Sequence, residues 1–207
     1  MREHFGLTHW WPGETPFEIA TGAILTQNTN WYNVEKALNN LKSQNLLSPA
    51  AILNTPIEHM ETLLRPSGYF RVKTHRLRQF SLYLMENHNG DMTRMAAMPL
   101  DILRPELLSI HGIGPETADD ILLYACDKSV FVVDTYTRRI LSRHGLVPAT
   151  ICYEALRSLY EDHVENDLEL YKDYHGQIVY TGKDFCKSKP NCTGCPLEPT
   201  LKHGQPL

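Results

Sequence analysis

A chain of 207 residues that is 42% hydrophobic, 9% aromatic and of net charge −4 is globular in composition, long enough to bury one good core or two modest lobes. No apolar run approaches the ~20 residues of a membrane span, and the polar start Met1-Arg2-Glu3-His4 is no signal peptide, so an intracellular, cytoplasmic protein is expected. The acid excess argues against broad attraction to phosphate unless the basic residues cluster.

In chain order, all three tryptophans fall in the first 31 residues, as Trp10-Trp11-Pro12 and Trp31. Each has an ordinary reading as core filler. Thr15-Pro16-Phe17-Glu18 predicts a helix start, with Thr as N-cap, Pro in the first turn and Glu closing a capping box. Further starts are predicted at Ser48-Pro49, near Pro56, around Phe70, near Pro99, at Pro115, after Asp134 and near Ala149. Helices at this spacing with short polar joints describe an all-α protein. Basic residues gather at Arg71, Lys73, His75, Arg76 and Arg78, and again at Arg138, Arg139, Arg143 and His144; a solvated face explains such runs as well as a nucleic-acid surface does.

Leu107, Leu108 and Ile110 close one apolar helical face, His111-Gly112-Ile113-Gly114 forms a turn, and Thr117, Ala118, Ile121, Leu122 and Ala125 open the next helix. The pattern is a helix-hairpin-helix. Two glycines one residue apart permit positive φ and a close partner, so the N–H groups beginning the second helix can hold a DNA phosphate; an ordinary tight turn is the competing reading. The apolar stretch Val130 to Val133 then ends in Asp134, ahead of a helical pattern from Thr135. Asp134 is both an N-cap and a carboxylate that the helix dipole keeps ionised, able to stabilise a nearby positive charge.

Near the end, Cys186, Cys192 and Cys195 stand as C-x5-C-x2-C, three of the five cysteines. Without a secretory signal this spacing favours soft-metal ligation over disulfides. Cys126 and Cys152 read as core thiols.

The segment from Leu107 to Asp134 resembles the helix-hairpin-helix plus Gly/Pro…Asp module of the endonuclease III superfamily of DNA glycosylases. The resemblance implies an all-α, two-lobed fold: a six-helix domain over residues 10–128 carrying the hairpin, and a second lobe from 129–207 with 1–9, including a Cys-rich loop at 186–203, with the active site between lobes. It makes Asp134 catalytic, puts phosphate on Gly112 and Gly114, and assigns the carbonyls of Leu108, Ile110 and Ile113 to a sodium or potassium ion. Bifunctional members carry a Schiff-base lysine two residues after the second hairpin glycine; Glu116 stands there, so hydrolysis by water is expected. The tail resembles the family's four-iron, four-sulfur loop, but Leu201 occupies the fourth cysteine's place. His203 is then the candidate fourth ligand, and zinc on three cysteines and one histidine is the competitor.

Within the superfamily, W-W-P, G-A-I-L-T-Q-N-T-N-W, R-P-S-G-Y-F, G-I-G-P-E-T-A-D, V-V-D-T-Y and H-G-Q-I-V resemble the endonuclease III-like 3-methyladenine DNA glycosylases. That likeness places Trp10, Trp11, Pro12, Trp31 and Lys183 around the flipped base, Gln27 as the plug filling the vacated stack, and Tyr69 as the opposite-strand wedge. As isolated residues, Lys183 could equally be solvated, Gln27 a polar helix end and Tyr69 a loop aromatic. The physics suits an alkylated purine, because an indole face attracts a cationic base and stacks on any base. The expectation is a monomeric, monofunctional glycosylase acting on duplex DNA with a damaged base, nucleoid-associated if bacterial. A glycosylase for mismatched or oxidised bases, or a noncatalytic DNA-binding protein with a metal cluster, are the alternatives; Gly22, where the adenine-excising branch would need a glutamate, counts against one of them.

Overall fold

The computed structural model describes residues 1–201, so His203 lies outside the described residues. Every regular element among them is helical, as the sequence pattern requires. Two compact units divide the chain: Pro12–Lys128 forms one, and Met1–Trp11 joins the residues from Ser129 onward in the other.

The Pro12–Lys128 unit holds α2 (Pro16–Thr26), α3 (Trp31–Ser43), α4 (Pro49–Asn54), α5 (Ile57–Leu64), α6 (Phe70–His88), α7 (Met92–Ala96), α8 (Leu100–Ser109) and α9 (Pro115–Asp120). Thr15 caps α2 by accepting from the Glu18 N–H at 3.2 Å. The expected reciprocal bond is displaced by one residue: the Glu18 carboxylate takes the N–H of Glu14 at 3.1 Å and pairs with Lys42 at 2.8 Å. Ser48, Asn30 and Asp91 cap α4, α3 and α7 with their side chains. The core is built from Ala20, Ile24, Leu41, Leu64, Leu77 and Phe80, all fully buried; a large apolar side chain contributes about 1.5–3 kcal/mol on such burial.

Beyond α9 the helix widens into a single π turn at Ile121–Ala125, whose five side chains are all buried. Arg104 on α8 grips Asp119 on α9 through two bonds of 2.7 and 3.1 Å, and the Asp119 carboxylate is wholly inaccessible. This buried pair locks the two hairpin helices together. The sequence pattern showed only the apolar faces.

The second unit holds α1 (Arg2–Phe5), α10 (Thr135–Arg143), α11 (Tyr153–His163) and α12 (Leu168–Asp184). Val130 to Val133 form no helix and are buried, and Phe131 stacks on Tyr160 with centroids 4.1 Å apart. The helix expected near Ala149 begins later, at Tyr153 behind Cys152, which is exposed rather than a core thiol; Cys126 is buried as expected. Asp167 caps α12. Along α12, Gly176 is required by close approach: a Cβ there would lie 2.4 Å from Thr8 Oγ1 and 2.8 Å from Trp10 Cβ. The N-terminal segment therefore lies directly against this helix.

Candidate functional site

In the unit built on α12, the buried Val130 to Val133 stretch delivers Asp134 to the start of α10. Its Oδ1 accepts from the Thr137 N–H at 2.7 Å and the Thr137 hydroxyl at 2.8 Å, while the Asp134 N–H reaches Thr137 Oγ1 at 3.4 Å, a complete capping box. Oδ2 faces His175 Nε2 at 3.8 Å, too far for a hydrogen bond. Burial pushes the Asp134 carboxyl upward, but the His175 imidazole and the Thr137 donors overcome that and hold it below the usual carboxylate range. The group is thus an anion with one oxygen fixed by the helix start and the other turned toward a buried imidazole.

His175 and Thr137 were not singled out from the sequence. Thr137 was detectable as the N3 partner of an N-cap Asp; His175, 41 positions beyond Asp134 in the numbering, opens the H-G-Q-I-V motif, but nothing in that motif pairs it with Asp134. The same helix carries both supports of the region, since His175 approaches the carboxylate and Gly176 admits Trp10. Trp10 meets Trp11 edge-on at 6.2 Å and Tyr180 at 5.6 Å. Lys183 is exposed in the last turn of α12. Pro12 and Trp31 belong to the other unit, Trp31 half-buried at the start of α3 behind its Asn30 cap.

In the Pro12–Lys128 unit, Gly112 has φ +90°, and a Cβ there would strike the Arg76 side chain at 2.4 Å. Gly114 differs from expectation: its φ is −92°, open to any residue, and a Cβ would meet nothing within 4 Å. Its smallness leaves space rather than enabling the turn. The Ile110 carbonyl already accepts from the Ile113 N–H at 3.0 Å. Ile110 and Ile113 are buried and Leu108 is half-buried, while Glu116, in place of the lysine, is exposed.

Gln27 leaves the end of α2 and donates to the Gly112 carbonyl at 3.1 Å and to Thr117 Oγ1 at 2.8 Å, while Arg76 donates to its amide oxygen. The amide is therefore held against the hairpin. Arg76, unassigned in the sequence beyond its basic cluster, is the residue that orients it. Tyr69 is 71% exposed and stands at φ 45° directly after Gly68 at φ 67°. A bulky residue held in the left-handed region at the N-cap of α6 is strained, and such strain concentrates at functional positions.

Cys186, Cys192 and Cys195 line one small cavity whose walls include Ile140, Phe185, Leu197 and Leu201. Leu201, at the sequence position where the resemblance expects the fourth cysteine, lines the same cavity. Burial raises the Cys195 thiol, and Arg143 donates to Cys186 Sγ at 3.2 Å and to the carbonyls of Lys187 and Ser188 at 2.6 and 2.8 Å. Three soft donors around an apolar cavity, one of them beside a guanidinium, fit a sulfur-ligated iron centre as a three-thiolate site. Among the described residues no three His, Cys, Asp or Glu side chains converge to hold a single metal ion.

The model of the HhH-GPD superfamily of base excision DNA repair proteins matches residues 21–166. A Methanocaldococcus jannaschii protein assigned to the DNA repair glycosylases is 46% identical over 96% of this chain and 90% of its own length. The H. pylori 3-methyladenine DNA glycosylase, solved with 1,N6-ethenoadenine bound, superposes with a TM-score of 0.76 at 31% identity, covering 85% of this chain and 88% of that one. An endonuclease III trapped covalently on DNA gives a TM-score of 0.83 at 22% identity, over 98% of this chain and 91% of that chain, a likeness of fold.

Proposed function

Because the chain belongs to the HhH-GPD superfamily of base excision DNA repair proteins and is one of its DNA glycosylases, we propose that it hydrolyses the N-glycosidic bond of alkylated purines such as 3-methyladenine, without lyase chemistry. The observation that carries the reading is the double use of α12, which sets His175 beside the Asp134 carboxylate and seats Trp10, with its neighbour Trp11, at the adjacent Gly176. A cationic purine stacks on indole with an added charge attraction and departs as a neutral base, so no acid need protonate it. As the C1′–N bond breaks, its electron pair leaves with the base and positive charge develops on the sugar; the ionised Asp134 stabilises that charge. Water adds to C1′, its proton passing to solvent. Trp31, Pro12 and Lys183 complete the base contacts, Gln27 fills the gap in the stack, Tyr69 wedges the opposite strand, and Gly112 and Gly114 hold the backbone. The hairpin carbonyls of Leu108, Ile110 and Ile113 take a sodium or potassium ion. With Glu116 where an amine would stand, the product is an intact abasic strand. The H. pylori relative's name supports the substrate class.

The three tail cysteines are the ligands of a four-iron, four-sulfur cluster in this reading, with His203 the fourth. When bound, such a cluster would cross-link the tail; no catalytic step passes through it. A panel of single-lesion duplexes, assayed with and without alkali, tests the assignment. Release of alkylated purines with strand breakage only after alkali is the expected result. Borohydride trapping of a covalent complex would contradict monofunctional chemistry, and excision of only pyrimidines or mismatched bases would sink the substrate class while leaving the glycosylase.

A further inference from the structure

Lys73, on α6, is only 1% exposed, yet its ammonium is met by two backbone carbonyls, Leu25 O at 2.8 Å and Ser67 O at 2.6 Å. Burial and the neighbouring Arg76 charge push it down to about 8. Burying a cation on neutral acceptors is costly, so an aliphatic side chain would serve the core better if packing were the only demand. The placement of the acceptors supplies another reason. Leu25 lies two residues before Gln27 in the final turn of α2, and Ser67 two residues before Tyr69. The Leu25 carbonyl belongs to the last turn of α2, where carbonyls lack partners within the helix and a cation is favoured. The Ser67 carbonyl immediately precedes the left-handed pair Gly68 and Tyr69. One turn farther along α6, Arg76 holds the Gln27 amide against the hairpin.

We propose that Lys73 is a positioning residue that ties the Gln27 and Tyr69 loops into one rigid base-extruding device, so that plug and wedge enter the duplex together. This rests on the glycosylase reading and on Gln27 and Tyr69 entering the stack. A tie of this kind acts on extrusion and leaves bond cleavage alone. Its loss should therefore matter only where unstacking is still to be done.

The test compares single-turnover excision of one alkylated purine in two settings: paired in a full duplex, and opposite a tetrahydrofuran abasic analogue, where much of the unstacking is already complete. Lys73→Met should slow the paired substrate by about tenfold or more and the unpaired one by less than about threefold. Equal slowing on both would reduce Lys73 to a structural role and overturn the proposal. Should Lys73→Met fail to fold, variants outside the buried core decide it: Gln27→Ala and Tyr69→Ala should combine to far less than the product of their separate effects on paired-substrate excision, and a multiplicative combination overturns the tie. If the wild type excises no lesion at all, the glycosylase reading fails. The tie is still read by 2-aminopurine fluorescence beside the abasic analogue, which the wild type should raise and Lys73→Met should not; equal rises overturn it.

Discussion

Asp134 is held by two bonds from Thr137 to one oxygen, which leaves the other turned toward His175 and, in the proposed mechanism, available to developing charge. Asp134→Asn keeps the shape but removes the anion, so excision should fall by at least about 100-fold, the size of a preorganised electrostatic group, while binding to abasic-site duplex persists in a gel-shift titration. Near-normal turnover would remove the carboxylate from the chemistry. The carboxyl is held below the usual carboxylate range, so the anion persists above its folded pKa and is lost only as pH falls through that value. The acid limb of the rate profile should accordingly lie below the ordinary carboxylate range. For the aromatic residues, Trp11→Ala and Trp31→Ala should each cost about 1 to 3 kcal/mol in transition-state stabilisation, the range for a base stacked on an aromatic ring. Release of 3-methyladenine should suffer more than release of a neutral base, because only the cation loses the indole's electrostatic attraction too. Equal losses on both would separate these rings from charge recognition.

The hairpin shows how an element depends on more than its turn. Gly112 supplies the left-handed residue, but the two flanking helices are joined by the Arg104–Asp119 pair, and the turn's own Gly112 carbonyl is tied through Gln27 to Arg76. Arg104→Met leaves a buried carboxylate without that guanidinium, a change that costs about 3–5 kcal/mol when a buried pair is broken. Urea unfolding should report that loss, and phosphate-backbone affinity should weaken along with it. A loss under 1 kcal/mol would show that the pair is not what fixes the hairpin. The hairpin was legible because apolar spacing and a Gly-x-Gly turn are local properties. Arg104 and Asp119 carried no signal in the sequence, since nothing local distinguishes a buried ion from a solvated one. The helix caps at Thr15, Ser48 and Asp134 were likewise readable, whereas the start near Ala149 was placed too early because Pro148 and Ala149 lie in a loop that resembles a first helical turn.

Across the whole molecule, the tail cysteines lie in a unit that also contains Asp134, and Arg143 of α10 reaches the tail at Cys186. Purified protein should be yellow-brown with iron and acid-labile sulfide, and Cys192→Ser should abolish the colour together with much of the order of the tail, as read by absorbance and limited proteolysis. Stoichiometric zinc in protein prepared without oxygen would instead establish the rival metal. His203→Ala examines the fourth ligand separately, and an unaltered cluster spectrum would exclude that histidine. The all-helical architecture, the hairpin, the capped carboxylate and the cysteine grouping were all written in the sequence, because each is a pattern of neighbours within a turn or two of chain. The tertiary structure alone decided that His175 faces Asp134, that Arg76 orients Gln27, that Gly176 seats Trp10, and that Lys73 spans two loops. Those partners are brought together by burial of distant apolar faces, and a side chain's partner across such a core leaves no periodic trace in the chain that carries it.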